Sequence, residues 1–317
     1  MAQVVTESEP ATGTPPIAQH RRHRLRWTLL AALVVVMIAA VGLYGTTVYL
    51  LQKSLSHRVE KLKYIPHDLG LQGESRALTS SDGIPLKAWW IPADPARGAV
   101  VVLHGMDGLD ASCVLPQAKF LHDAGWSALV LDMRAHGRSG GNRIGLSVEE
   151  PRDVSAALDW LQTQPSLQGK PLVLLGLSMG GATAIRTAAV RHDVDAVISV
   201  SSFASFEPFM GKGMELWLGR LAILTLYGVW TPNVQPVREI GRIPPRPVLI
   251  MHGSADRQIP VGDALLLKQA GGPDVQLWIA PGADHLIYTE DGNGAGALDT
   301  GYRTHILDFL AGLGHRG

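Results

Sequence analysis

The longest apolar run of the chain lies near its N-terminus. From Trp27 to Leu51 no Asp, Glu, Lys or Arg interrupts it. A helix rises about 1.5 Å per residue and the hydrocarbon core of a bilayer is about 30 Å thick, so this run is long enough to cross a membrane. Trp27, Tyr44 and Tyr49 lie toward its ends, where aromatic side chains favour the headgroup region. The pattern predicts a transmembrane helix over residues 27–51.

Two other interpretations of this run are a buried core helix and a cleavable signal peptide. A core helix is seldom apolar on all sides over so long a stretch. A signal peptide has a shorter apolar region that ends in small residues at a cleavage site, whereas Tyr49 is followed by Leu50, Leu51, Gln52 and Lys53. A retained membrane anchor is therefore favoured.

Basic residues on both sides of the run bear on its orientation. Those before it are Arg21, Arg22, Arg24 and Arg26, and those after it are Lys53, Arg58, Lys61 and Lys63. Positive charge favours the cytoplasmic side, and the two counts are equal. Because the arginines directly adjoin the apolar edge, we expect a cytoplasmic N-terminus, with the large domain on the outer side of the membrane.

The rest of the chain divides by composition. Residues 1–26 contain few groups able to form a core and end in the basic cluster, which predicts a disordered tail. A polar stalk is predicted over 52–74. The remaining residues, 75–317, alternate between apolar runs and amphipathic segments and are predicted to form the main domain.

Eight short apolar runs mark this main domain. They are Ala77–Thr79, Leu86–Ile91, Ala99–Leu103, Ser127–Leu131, Leu172–Leu175, Ala196–Val200, Val248–Met251 and Val275–Ile279. The first two are predicted as a pair of opening strands, and the other six suit strands that are buried on both faces of a parallel sheet. The clearest helix between them is predicted to start at Ser147, with Glu150 at capping-box spacing and Pro151 in its first turn. The alternation predicts an α/β fold with helices on both faces and ligands bound beyond the carboxyl ends of the strands.

Composition and charge narrow the class of protein. Hydrophobic residues make up 46% of the chain and charged residues 18%, which excludes a wholly disordered chain. With 28 basic and 28 acidic residues the net charge is zero, so no overall field favours nucleic acid as a partner. Cys113 is the single cysteine, which excludes an internal disulfide and a multi-thiolate metal site. We expect neither a metal nor a cofactor.

The pattern G-x-S-x-G occurs twice, around Ser139 and around Ser178. The chemistry needs a strand, a sharp turn that exposes the serine oxygen, and then a helix. Ser178 directly follows a predicted strand and precedes a small-residue helical segment, with Gly176 and Gly180 removing bulk at the turn. Ser139 is followed by a loop. We therefore predict Ser178 as a nucleophile and assign Ser139 to a turn.

A serine hydroxyl needs a base, and the base needs an orienting acid. In this type of sheet the chain order is serine, acid, histidine, and the last two predicted strands end near Asp256 and His285. His252 precedes the acid and is predicted to be a packed strand-end residue. Two backbone N–H groups should bind the oxyanion, one from Met179 and one from the loop at 104–108.

Five segments carry a family resemblance. They are HGMDG at 104–108, LDMRAHGRSGG at 131–141, GLSMGG at 176–181, HGSADRQIP at 252–260 and GADH at 282–285. In this order they resemble the α/β-hydrolase family, and within it the lysophospholipase, monoacylglycerol lipase and serine aminopeptidase-like branch. The resemblance covers roughly residues 75–312 and implies an eight-stranded sheet whose second strand is antiparallel.

The resemblance also implies site residues. It implies Ser178 as nucleophile, Asp256 as acid and His285 as base, with the amides of Met106 and Met179 as oxyanion donors. Met106 is bulky where small residues are frequent in the family. By the same analogy, His136 and Ser139 belong to a structural loop and are not catalytic.

A long insertion, about residues 203–247, separates the sixth and seventh predicted strands, and family members have a lid there. Its centre, residues 214–230, carries only Glu215 and Arg220 as charges. An apolar lid suits an acyl chain, although the same residues would also suit packing on the domain below. The sequence therefore predicts a membrane-anchored serine hydrolase of acyl or lipid-like carboxylic esters. The alternatives are a peptidase or amidase of the same fold and a non-catalytic binding module.

Overall fold

The computed structural model describes residues 16–56, 62–106, 110–207, 214–228, 234–288 and 299–315. The chain divides into two units after Leu50. Helix α1 (Pro16–Ser54) makes up the described part of the first unit, and its apolar stretch is long enough and apolar enough to cross a membrane. Helix α1 begins at Pro16, within the segment for which the sequence predicts a disordered tail. Pro16 suits the first position of a helix, and no Gly or Pro follows it before Gly42.

The predicted stalk at 52–74 lies partly outside the described residues, at 57–61. Within the second unit, Leu55 is buried and its carbonyl accepts a hydrogen bond of 2.7 Å from the Ile144 N–H. Residues 66–69 form a short 3-10 helix, and the first strand already begins at Glu74. The described part of this segment is therefore bound to the domain that follows it.

Eight strands form a single sheet. In chain order they are β1 (Glu74–Thr79), β2 (Pro85–Ile91), β3 (Ala99–Leu103), β4 (Ser127–Asp132), β5 (Leu172–Leu177), β6 (Ala196–Val200), β7 (Val248–Gly253) and β8 (Val275–Ala280). Their order across the sheet is β1-β2-β4-β3-β5-β6-β7-β8. β2 is antiparallel to both β1 and β4, and the other neighbours are parallel. The predicted eight-stranded, mostly parallel sheet with an antiparallel second strand is confirmed.

Helices cover both faces of this sheet. They are α2 (Leu115–Asp123), α3 (Glu150–Gln162), α4 (Met179–Ala188), α5 (Met214–Tyr227), α6 (Pro236–Glu239), α7 (Gly262–Gly271) and α8 (Thr300–Ala311). Successive side chains of a strand point to opposite faces. In β3, Val101 and Leu103 pack in the same core as α3, α4 and α7, whereas Val100 and Val102 pack with α2 and α8. The continuous apolar runs of the sequence therefore correspond to strands that are covered on both sides.

Helix α3 begins at Glu150, so the predicted start at Ser147 is wrong. Leu146 and Ser147 have φ values of 54° and 62°, in the left-handed region, which is incompatible with an N-cap. Pro151 lies in the first turn, as predicted. The Ser147 hydroxyl instead donates to the carbonyl of Met179, 3.1 Å away. The loop before α3 thus turns toward the start of α4.

Candidate active site

Ser178 occupies the sharp turn between β5 and α4. Its backbone has φ 54° and ψ −117°, a conformation that an L-residue seldom adopts. The turn is held by hydrogen bonds from the Ser178 N–H to the Val200 carbonyl at 2.8 Å and from the Gly181 N–H to the Ser178 carbonyl at 2.9 Å. This strand–turn–helix context is the one that the sequence predicts for Ser178.

Two glycines allow this turn to be so tight. A Cβ atom at position 176 would overlap the backbone of Gly180. A Cβ atom at position 180 would lie 2.5 Å from the carbonyl oxygen of His104, at the end of β3. Gly176 and Gly180 therefore bring α4 against the ends of β3 and β5, as expected for a turn that presents a nucleophile.

The first turn of α4 is fixed through the carbonyl of Met179. This carbonyl accepts hydrogen bonds from the hydroxyls of Thr183, at 2.9 Å, and Ser147, at 3.1 Å. Met179 is the first residue of α4, so its own N–H has no acceptor within the helix. No sequence pattern predicts the contact of Ser147 with this turn, because the contact depends on the fold of a loop far away along the chain.

The loop after β3 is anchored by His104, which is fully buried. Burial lowers the pKa of His104 to about 4, so the ring is neutral. Its Nδ1 donates to the Gly105 carbonyl at 2.7 Å, and its Nε2 accepts from the Met133 N–H at 3.1 Å. Met106 follows on this loop, and residues 107 and 108 of the predicted segment lie outside the described residues.

His285 and Asp256 are joined by a hydrogen bond. The Nδ1 atom of His285 lies 2.8 Å from Oδ2 of Asp256. The other carboxylate oxygen, Oδ1, accepts from the N–H groups of Gln258 and Ile259, both at 2.8 Å. Burial acts to raise the pKa of Asp256, but hydrogen bonds from His252 and His285 outweigh it and hold that pKa well below its usual range. Asp256 is therefore an ionised acceptor for the imidazole of His285.

The loops that carry this pair are tied to each other. Asp284 accepts from the Arg257 backbone N–H at 3.0 Å and from the Arg257 Nε at 2.7 Å. Asp284 also accepts from the His285 N–H, and the Ser201 hydroxyl donates to the His285 carbonyl at 2.7 Å. Among the described residues, no hydrogen bond joins the Asp284 side chain to the imidazole of His285. Asp284 instead holds the backbone at Arg257 and His285.

A cavity of about 240 Å³ lies at the carboxyl ends of the strands. Its lining consists of Met106, Leu146, Ser178, Met179, Phe203, Phe206, Gln258, Ile259 and His285. Both candidate oxyanion residues, the candidate nucleophile and the candidate base thus border one space, and Asp256 is bonded to that base. Most of the lining is apolar. Such a cavity suits an apolar group attached to a centre that a serine can attack.

The second serine motif does not border this cavity. Ser139 is buried, and its hydroxyl donates to the Asp132 carbonyl at 2.5 Å and accepts from the Lys87 N–H at 2.8 Å. His136, also buried, contacts the Arg134 carbonyl through Nδ1. Ser139 therefore holds the loop after β4 against β2, and His136 makes a hydrogen bond within that loop, in agreement with the structural role that the sequence predicts for both residues.

His252 has a contact that sequence reasoning missed. The sequence predicts a packed strand-end residue at this position, and His252 is fully buried at the end of β7. Its Nε2 also lies 3.1 Å from Oδ2 of Asp256 and 2.9 Å from the carbonyl of Ile259. The one sequence signal for this contact is the four-residue spacing between His252 and Asp256 across a strand-end turn.

Comparison with known proteins finds similar sequences among hydrolases and uncharacterised proteins. A family model described as "Serine aminopeptidase, S33" matches residues 94–240. The chain is 27% identical over 244 residues to the uncharacterised protein YfhR of Escherichia coli K12, covering 75% of this chain and 80% of YfhR. It is 26% identical over 250 residues to a monoacylglycerol lipase of Mycolicibacterium smegmatis, covering 63% of this chain and 85% of the lipase.

A solved structure shares the fold. The esterase Pf2001 of Pyrococcus furiosus superposes with a TM-score of 0.65 at 22% identity, covering 81% of this chain and 97% of the esterase. The sheet order, the turn at Ser178 and these matches agree with one another. The chain has the α/β-hydrolase fold, and its sequence is similar to those of serine hydrolases that share this fold.

Proposed function

We propose that this protein is a membrane-anchored hydrolase of carboxylic esters that works through an acyl-enzyme intermediate. Ser178 is the nucleophile, His285 the base and Asp256 the acid that orients the base. The observation that carries the proposal is the convergence of Ser178 and the hydrogen-bonded His285–Asp256 pair on one apolar cavity.

In the first half of the reaction, His285 takes the proton of the Ser178 hydroxyl as its oxygen attacks the ester carbonyl carbon. Asp256 accepts from Nδ1 of His285, which leaves Nε2 free of a proton and stabilises the imidazolium as it forms. The carbonyl oxygen becomes an oxyanion, which the N–H groups of Met106 and Met179 bind. His285 then gives the proton to the alcohol, which leaves.

In the second half, a water molecule takes the place of the alcohol. His285 removes a proton from this water, which attacks the acyl carbon of the Ser178 ester. A second oxyanion forms at the same two amides and collapses, releasing the carboxylic acid. The proton passes back to the Ser178 oxygen, so the enzyme ends in its starting state.

The cavity wall supports an acyl group as the bound part of the substrate. Its apolar contributors come from separate loops: Met106, Leu146, Phe203, Phe206 and Ile259. The relative and the fold neighbour described above are a monoacylglycerol lipase and an esterase, which agrees with ester substrates.

An aminopeptidase-like activity is the second candidate, because the matching family model carries that description. Such an enzyme must bind a charged α-amino group, and a nearby carboxylate is the usual partner of an ammonium. No Asp or Glu side chain lines the cavity among the residues that the structure describes. This favours esters over aminoacyl amides.

The experiment compares two substrate classes on the full chain in detergent. We expect p-nitrophenyl esters of short and medium acyl chains to be cleaved and aminoacyl p-nitroanilides not to be. Ser178→Ala should remove ester turnover, whereas the control Ser139→Ala should retain it in the molecules that fold. Faster cleavage of the anilides would establish the peptidase, and undiminished turnover in Ser178→Ala would contradict the proposed nucleophile.

Helix α1 is proposed as the anchor, with the N-terminus inside and the catalytic domain outside. Its apolar side chains are exposed, for example Val35 at 65% and Ile38 at 66%. An apolar surface of this extent is unfavourable in water and favourable in lipid.

A further inference from the structure

A second imidazole contacts the proposed catalytic acid. His252 and His285 both place a ring nitrogen against the same oxygen, Oδ2 of Asp256, at 3.1 Å and 2.8 Å. The side chains of Asp256 and His252 are wholly buried. In the proposed mechanism only His285 moves a proton, so the role of His252 is open.

The surroundings of His252 define which of its nitrogens carries the proton. Its Nδ1 is buried and has no hydrogen-bond partner among the described residues. Its Nε2 faces two acceptors, Oδ2 of Asp256 and the Ile259 carbonyl. A neutral imidazole has one N–H, and placing it on Nε2 satisfies that nitrogen and both oxygens. His252 therefore donates toward Asp256.

The two oxygens of Asp256 differ in how they are held. Oδ1 accepts from two backbone N–H groups, those of Gln258 and Ile259, which no side-chain substitution removes. Oδ2 depends on side chains alone. Loss of the His252 imidazole would therefore leave the Asp256 carboxylate in place, with His285 as the remaining histidine that contacts Oδ2.

The charged and titratable groups around this pair are few. Asp263, in the first turn of α7, faces both His252 and Asp256, and burial raises the pKa of Asp263. It accepts a hydrogen bond from the Ala204 backbone. His285 approaches from the loop after β8. The nearby Arg257 is engaged by Asp284.

We propose that His252 acts on catalysis through the acid: by donating Nε2–H to Oδ2 of Asp256, it limits the negative charge available to His285 and so sets the pH below which catalysis is lost. This inference rests on the proposed function. The hydrogen bond to a carboxylate is charge-assisted, and its removal concentrates the remaining charge on the His285 contact. Protonated His285 is then better stabilised.

The test measures kcat/KM against pH for the full chain and three variants. His252→Leu removes the donor. His252→Asn and His252→Gln form a matched pair, because the Gln amide nitrogen reaches the place of Nε2, whereas the Asn amide nitrogen corresponds to Nδ1. We expect the acid limb to move to higher pH by about half a unit in the Leu and Asn variants and to return in Gln. If Leu fails to fold, the comparison of Gln with Asn carries the test.

The outcomes separate this inference from the proposed function. If the unsubstituted protein cleaves no ester, the proposed function fails. If it is active and the acid limb is unmoved or moves to lower pH in the Leu and Asn variants, His252 does not tune Asp256 and this inference is overturned. Equal shifts in Gln and Asn would also overturn it, because they would reflect packing rather than the position of a donor.

Discussion

Ser178 holds a backbone conformation that costs free energy wherever a side chain is present. Its φ of 54° and ψ of −117° lie outside the regions open to most L-residues. Strained residues of this kind cost on the order of 1–3 kcal/mol and persist only when the surroundings hold them. Here the hydrogen bonds to Val200 and from Gly181 do so. The strain is what brings the serine oxygen to the cavity.

The first prediction compares two inactive variants. Ser178→Gly should have a free energy of unfolding about 1 kcal/mol higher than Ser178→Ala, because glycine adopts this backbone conformation without a Cβ clash. The gain is partly offset by the greater freedom of glycine in the unfolded chain. Urea denaturation measures the difference. Equal stability, or a more stable alanine variant, would show that the turn is not strained.

The sequence alone predicts some residues of the candidate site and not others. Ser178, Asp256 and His285 stand just beyond three predicted strands, so the rule that strand ends meet at one edge of the sheet locates them. The contacts of His252 and Ser147 with the site are not predicted, because they depend on loop conformations. For Ser147 the capping-box spacing pointed to a helix start, and the left-handed backbone at 146 and 147 prevented it.

Helix α3 begins with a buried acid beneath the loop that borders the cavity. Glu150 is fully buried, and its Oε1 accepts from the Gly145 N–H at 2.5 Å. Its Oε2 has no hydrogen-bond partner among the described residues. Burial, together with the negative charge of Asp153, raises the pKa of Glu150 to about 7. Compared with the unfolded chain, the folded protein therefore favours the neutral form of the Glu150 side chain.

The second prediction follows from this raised pKa. The unfolded chain has the lower pKa, so folding favours the proton, and stability present below about pH 4.5 is lost as the pH rises through about 7. Glu150→Gln should remove this dependence and raise the free energy of unfolding above pH 7 by up to about 3 kcal/mol. Denaturation at pH 5.5 and 8.5 tests it, with Glu149→Gln as the control. A gain that is the same at both pH values would contradict the assignment.

Elements differ in how well the sequence predicts them. Most strands agree with prediction to within a few residues because they are apolar on both faces. β5 and β7 extend past their predicted ends to Leu177 and Gly253. The structure of the insertion at about residues 203–247 is harder to predict from the sequence. Helix α5 forms within it, and Phe203 and Phe206 before that helix line the cavity. Neither phenylalanine carries a pattern that predicts a role in the site. Parts of the insertion, 208–213 and 229–233, lie outside the described residues.

At the scale of the whole molecule, the chain consists of an α/β domain and an N-terminal helix whose apolar surface suits lipid. The sequence predicts such a helix directly, because length and lack of charge do not depend on tertiary packing. The cavity, in contrast, forms only where segments from six places in the chain meet. The family motifs contain four of these places, those of Met106, Ser178, Ile259 and His285. Leu146 and the two phenylalanines lie outside the motifs, so their part in the cavity is seen only in the structure.

The third prediction concerns the anchor. The full chain should sediment with membranes and resist extraction by alkaline carbonate. Replacing Val36 and Met37 by arginine, near the centre of the run, should release it, because each arginine there costs about 3 kcal/mol or more on insertion. Protease treatment of sealed vesicles should show the catalytic domain on the outer side. Recovery of a soluble chain lacking its first residues would indicate a cleaved signal peptide instead.

The central claim is that the hydroxyl of Ser178 is activated by the histidine that Asp256 holds. The most direct measurement is the labelling of the full chain with a fluorophosphonate, followed by mass spectrometry to locate the adduct. We expect one adduct, on Ser178, lost in Ser178→Ala and formed at least about a hundredfold more slowly in His285→Ala. A folded protein that takes no label, or that carries it on a different residue, would contradict the account.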